Sequence, residues 1–132
     1  MTRNARSDAL HEAVQAFAAG TATRSFADLA LEIADFQREF SAGFARLLAQ
    51  RSAQRTSFEH IPGVPSDAFR LARVAVHPEA EDSVRFATSG TTGAGNGIHA
   101  MRRLDTYQGH LADGESLVLS WGPGNQLLRR KR

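Results

Sequence analysis

The sequence predicts an α/β chain in which N-terminal helices precede a small sheet that carries a loop rich in glycine, serine and threonine. Three observations make that prediction. Apolar residues recur at intervals of three or four through roughly the first fifty positions, which is a helical period. Two prolines, Pro62 and Pro65, then end that period. Beyond them come short, partly β-branched runs on either side of the small-residue stretch Thr88–Gly97. A chain of 132 residues supports one domain with a modest core.

From Ser7 to Ala19, the residues Ala9, Leu10, Ala13, Val14 and Phe17 lie at helical spacing. Ser7 or Asp8 is the expected N-cap, and Gly20 the expected stop. Ser25-Phe26-Ala27-Asp28 is a capping box with Asp at the third helical position, and it opens a second, longer helix. In that helix Phe26, Leu29, Ile33, Phe36, Phe40, Phe44 and Leu47 share one face to about Ala49. Such a stripe needs a surface to pack against, and the expected role is core rather than ligand pocket. Between Thr56 and Pro65 the sequence reads as loop, because each proline pushes its predecessor toward extended backbone.

Asp67, with Ser66, is expected to cap a short helical turn through Leu71. Ala72–Val76 and Val84–Ala87 read as strands, and Ile98–Arg102 as a strand returning from the loop. Leu117–Trp121 reads as an edge strand, whereas Gly122–Arg132 is expected to be poorly ordered. Residues 1–112 form the expected domain portion and residues 113–132 a basic tail.

Composition narrows the chemistry. There is no cysteine, which removes disulfides, thiolate metal sites and acyl transfer to a thiol of this chain. No apolar run approaches a membrane span, and the polar N-terminus lacks the apolar region of a secretory signal, so a cytoplasmic location is expected. Net charge is +2, with Arg129-Arg130-Lys131-Arg132 reading as a solvated terminus. No nucleic-acid or membrane partner is expected. His11, His60, His77, His99 and His110 stand at no metal-ligand spacing, so no metal site is expected; His99 is the one kept for nucleotide or acyl-phosphate contact. Glu79, Glu81 and Asp82 read as a solvated acidic turn.

The stretch Thr88-Ser89-Gly90-Thr91-Thr92-Gly93-Ala94-Gly95-Asn96-Gly97 has the chemistry of a phosphate cradle. Glycines permit positive φ and close approach, while N–H groups and the hydroxyls of Ser89, Thr91 and Thr92 can face phosphate oxygens. Gly90 and Gly95 have the spacing of a Walker A loop, but Asn96 and Gly97 stand where lysine and a hydroxyl residue are required. A dinucleotide fingerprint fails at Ile98, where its last glycine would fall.

Phe86-Ala87-Thr88-Ser89-Gly90-Thr91-Thr92-Gly93 instead resembles the Ser-Gly-Thr-Thr-Gly signature of adenylate-forming enzymes, which activate carboxylic acids with ATP. The approach Ile61–Arg70 resembles the acyl-protein synthetase branch, which includes the synthetase of the bacterial bioluminescence fatty acid reductase. The resemblance runs from about Ser25 to Tyr107. It implies an incomplete adenylation domain, ATP and magnesium as cofactors, a fatty or other carboxylic acid as substrate, and an acceptor thiol on another molecule. It implies phosphate binding by Ser89, Gly90, Thr91, Thr92 and Gly93. Many members continue the loop with Pro and Lys, whereas Ala94-Gly95-Asn96-Gly97 follows here, leaving Arg102 or Arg103 as the nearest cation on the returning strand. The family's adenine pocket, ribose-binding aspartate and catalytic lysine have no counterparts, so an N-terminal fragment inactive by itself is expected. The alternative is a non-catalytic module that binds phosphate or nucleotide, or that uses its helical stripe on a partner.

Overall fold

The computed structural model describes residues 1–50, 57–88 and 95–106 in full, together with the backbone of three strands between residues 108 and 130. The helices are α1 (Arg3–Ala18), α2 (Phe26–Phe40), α3 (Ala42–Gln50) and the single turn α4 (Ala68–Leu71). Short 3-10 turns occupy Phe58–His60 and Glu79–Glu81. Strands β1 (Val84–Ala87) and β2 (Ile98–Met101) form one antiparallel pair. Strands β3 (Gln108–His110), β4 (Ser116–Trp121) and β5 (Leu127–Arg130) form a second, three-stranded antiparallel sheet in that order. The architecture is thus mixed, with helices followed by small sheets. No helix among the described residues is long and apolar enough to cross a membrane.

Helix α1 starts one turn earlier than its apolar period suggests. Thr2, not Ser7 or Asp8, is the N-cap, its hydroxyl accepting from Ala5 N at 3.2 Å. Ser7 is buried within the helix, and Asp8 faces arginines further along the chain. The other end follows the sequence. Gly20 takes φ +72°, its N–H bonds Phe17 O at 3.1 Å, and Thr21 N bonds Ala16 O at 2.9 Å, the paired bonds of a Schellman stop. Ser25 caps α2 as expected: its hydroxyl accepts from Asp28 N at 3.1 Å and donates to Asp28 Oδ2 at 2.7 Å.

The single long helix expected from Phe26 to Ala49 is broken. At Ser41 the backbone is extended, with φ −128° and ψ 103°, and the Ser41 hydroxyl accepts from Phe44 N at 3.4 Å, so α3 begins anew. The apolar face survives the break. Leu29, Phe36 and Phe44 are buried; Leu29 and Phe36 join Leu10 of α1 in a core against which Ile33, Phe40 and Val76 pack. The far end of the stripe is open. Phe26 is 56% exposed, and its ring meets Phe17 at 6.0 Å and Phe58 edge-on at 5.3 Å.

Three further expectations change. Ala72–Val76 runs without a ladder partner rather than as a strand, because Val76 packs on the helices and Arg73 is turned to Asp82. Asp67 makes no side-chain cap at α4; it pairs with Arg70 at 3.7 Å. Strand β4 is the central strand of its sheet and not an edge, since Leu127–Arg130 forms β5 beside it.

Candidate functional site

The hairpin β1–β2 is built from two four-residue strands in the register Val84↔Met101, Arg85↔Ala100, Phe86↔His99 and Ala87↔Ile98. One more rung continues it. Thr88 N donates to Gly97 O at 2.9 Å, and Gly97 N donates to the Thr88 hydroxyl at 2.8 Å. Thr88 and Gly97 therefore close the base of the loop that runs between them. Gly95 takes φ +93°, a conformation that glycine adopts without a Cβ penalty. Ser89, Gly90, Thr91, Thr92 and Gly93, the residues expected to bind phosphate, lie outside the described residues.

Helix α4 steadies this base from one side. A Cβ on Gly97 would stand 3.1 Å from Thr88 Oγ1 and 3.3 Å from Phe69 Cβ, so the absence of a side chain lets the helix approach. The Phe69 ring stacks on His99, with centroids 4.0 Å apart and planes 20° from parallel. His99 is accordingly held flat against an aromatic ring next to the loop base.

Beside β1 lies a cluster that the sequence reading missed. Asp82 is only 5% exposed at its side chain, and its carboxylate accepts from Arg73 at 2.6 and 3.0 Å, from Arg85 Nε at 2.8 Å and from His77 Nε2 at 2.9 Å. Arg85 also donates to Glu79 at 2.6 Å, while Glu81 accepts from Arg3 at 2.6 Å and Asn4 at 3.2 Å. The turn is solvated at Glu79, as expected, but Asp82 is shielded and all three carboxylates are ion-paired. The arginine hydrogen bonds, Arg73 first, hold the Asp82 carboxyl far below its ordinary range despite burial. Among the described residues no group of three or more His, Cys, Asp or Glu is arranged to hold a metal ion. Arg70, Arg73, Arg85 and Asn96 border a cleft of ≈ 260 Å³ next to the loop base.

A second charged cluster ties α1 to the segment after β2. Arg102 pairs with Asp8, and Arg103 bonds Asp8 at 3.1 Å and Asp105 Oδ1 at 3.0 Å. Gln15 adds a bond to Asp105 at 3.1 Å, and His11 meets the Thr106 hydroxyl. Arg102 and Arg103, weighed as a source of charge in place of the missing loop lysine, are engaged with Asp8 of α1 and with Asp105. Arg70, Arg73 and Arg85 border the cleft next to the loop base, and Arg73 and Arg85 are themselves engaged with Asp82.

Compared with protein-family models, with curated proteins and with solved structures, the chain matches none. Any functional reading rests on the residues themselves.

Proposed function

We propose that the β1–β2 loop binds the phosphates of ATP and that the chain belongs to an ATP-dependent acyl-activating ligase of the acyl-protein synthetase type. One observation carries the reading. The signature Ser89–Gly93 is inserted between two strands whose register is continued to its edge by the Thr88–Gly97 rung. A loop so anchored offers backbone N–H groups and hydroxyls from a fixed base, which favours electrostatic stabilisation of charge on a departing pyrophosphate. In that reaction a carboxylate attacks the α-phosphate, giving acyl-adenylate and pyrophosphate, and a thiol then displaces AMP. The thiol belongs to another molecule, since the chain has no cysteine. Magnesium would travel on the nucleotide, with no described carboxylate assigned to it. Arg70, Arg73 and Arg85 border the cleft beside the loop base, and any of them would stand in for the absent loop lysine.

Calorimetric titration with Mg-ATP tests the proposal. Saturable binding that weakens at least tenfold in Thr91→Val and in Gly93→Val, with unchanged circular dichroism, is the expected result. Absence of binding, or binding indifferent to both substitutions, overturns it. The exposed ring cluster Phe17–Phe26–Phe58 favours a second reading, a helical interaction module, for which the chain would ignore ATP and self-associate or capture a partner through these rings.

A further inference from the structure

Where α1, α2 and the extended segment Val74–His77 meet, the packing leaves a cleft of ≈ 300 Å³ that adjoins another of ≈ 220 Å³. Ser7, His11, Gln37 and Val76 line both. The walls are otherwise mostly apolar, with Phe44, Val64, Phe69 and Ala100 on the larger side and Leu10, Val14 and Ile33 on the smaller. Such a lining, with a few convergent polar groups, is the usual character of a small-molecule site.

The polar groups divide into two kinds. Arg102 is already paired with Asp8, and His77 already bonds Asp82. Burial, seconded by Arg103, pushes the His11 imidazole below its ordinary value and favours its neutral form. The neutral ones are not engaged. Ser7 is 8% exposed, and within the described residues neither its hydroxyl nor the Gln37 carboxamide makes a hydrogen bond. No buried side-chain polar atom among the described residues lacks a partner, so both groups reach solvent through the open cleft, where a ligand hydroxyl can take the place of water.

We propose that this cleft binds a neutral, linear aliphatic alcohol whose hydroxyl bonds Ser7 and Gln37 and whose chain lies along Val64, Phe44 and Val76. A methylene occupies about the volume of a liquid water, roughly 30 Å³, so the larger cleft takes a chain of about eight to ten carbons. A hydroxyl both donates and accepts, matching a serine beside a carboxamide. A carboxylate of the same length would enter a wall whose guanidinium is already neutralised, and it would lose hydration without gaining a free cation.

The test uses the full chain without nucleotide, so its outcome is independent of the ATP proposal. Titration with 1-octanol, followed by methyl NMR shifts of Val64 and Val76, should be saturable at one site. Octanoate at a pH where it is ionised should bind at least tenfold more weakly. Ser7→Ala combined with Gln37→Leu should weaken octanol at least fivefold while leaving circular dichroism unchanged, and Ala100→Phe, which fills the cleft from β2, should abolish binding. Should the double variant fail to fold, Gln37→Leu alone decides the head-group contact by the same loss. No saturable shift, equal binding of octanoate, or indifference to the Ser7 and Gln37 substitutions would overturn the proposal.

Discussion

Asp82 accepts from two guanidiniums and an imidazole while almost fully shielded, and this arrangement has a definite pH signature. Its carboxyl is held below the ordinary value of 3.8, foremost by the hydrogen bond from Arg73. The unfolded chain therefore binds the proton more readily than the folded one on acidification. The stabilisation is complete above about pH 4 and drains away as pH falls toward the folded-state value. Urea unfolding followed from about pH 7 to pH 3 should show this loss in the wild type. Asp82→Asn should be less stable at neutral pH and fall less steeply, with the residual slope set by Asp8, Glu81 and Asp105, which arginines also hold low. None of this was legible from the run Glu79–Asp82, because a carboxylate's partners are set by where Arg73, His77 and Arg85 arrive, and that is a tertiary fact. Gly20 and Ser25, in contrast, act within a few residues of themselves, and both were readable.

At the level of elements, the hairpin strands were legible almost residue by residue, since β-branched and aromatic residues flank a glycine-rich stretch of sequence and no competing helical period exists there. The rung that closes the loop depends on one hydroxyl. Thr88→Val keeps the shape and removes the acceptor for Gly97 N–H, at a cost of about 1 kcal/mol, with the Gly97 amide exchanging faster in NMR. Unchanged exchange at Gly97 would count against this role. The break at Ser41 shows where periodicity fails. An apolar stripe reports which side of the chain is buried, and a one-residue interruption leaves Phe44 on the buried side, so the pattern carries no trace of the capping serine. Helix α1 began early for the opposite reason. Its first turn has no apolar period and is held by polar contacts, Arg3 and Asn4 to Glu81 and Arg6 to Glu39.

For the molecule as a whole, the core is thin. Among the described residues no large side chain is less than 2% exposed, and the central cluster rests on Leu10, Leu29 and Phe36. Stability should accordingly be sensitive to any one of them. Leu29→Ala should cost about 2–5 kcal/mol, a large share of what a domain of this size has, and thermal unfolding should lose its cooperative transition near physiological temperature. A shift of only a degree or two would show that the core lies elsewhere. The sequence revealed that the helices precede the sheet and which faces are apolar. It did not reveal the clefts, which arise from how imperfectly those faces fit, or the pairing of Arg102 and Arg103 with α1.

That pairing also bears on the order of events during folding. Helices α1 and α2 are neighbours in the chain and can meet early, but Asp8 and Arg102 are 94 residues apart, His11 and Thr106 95, and Gln15 and Asp105 90. Closing so wide a span costs more chain entropy than any local contact, so these bonds form late. Until then α1 carries an uncompensated aspartate and an unburied imidazole. Although α1 precedes the other described elements in the chain, it is among the last to be fully seated, and it waits for the segment that follows β2.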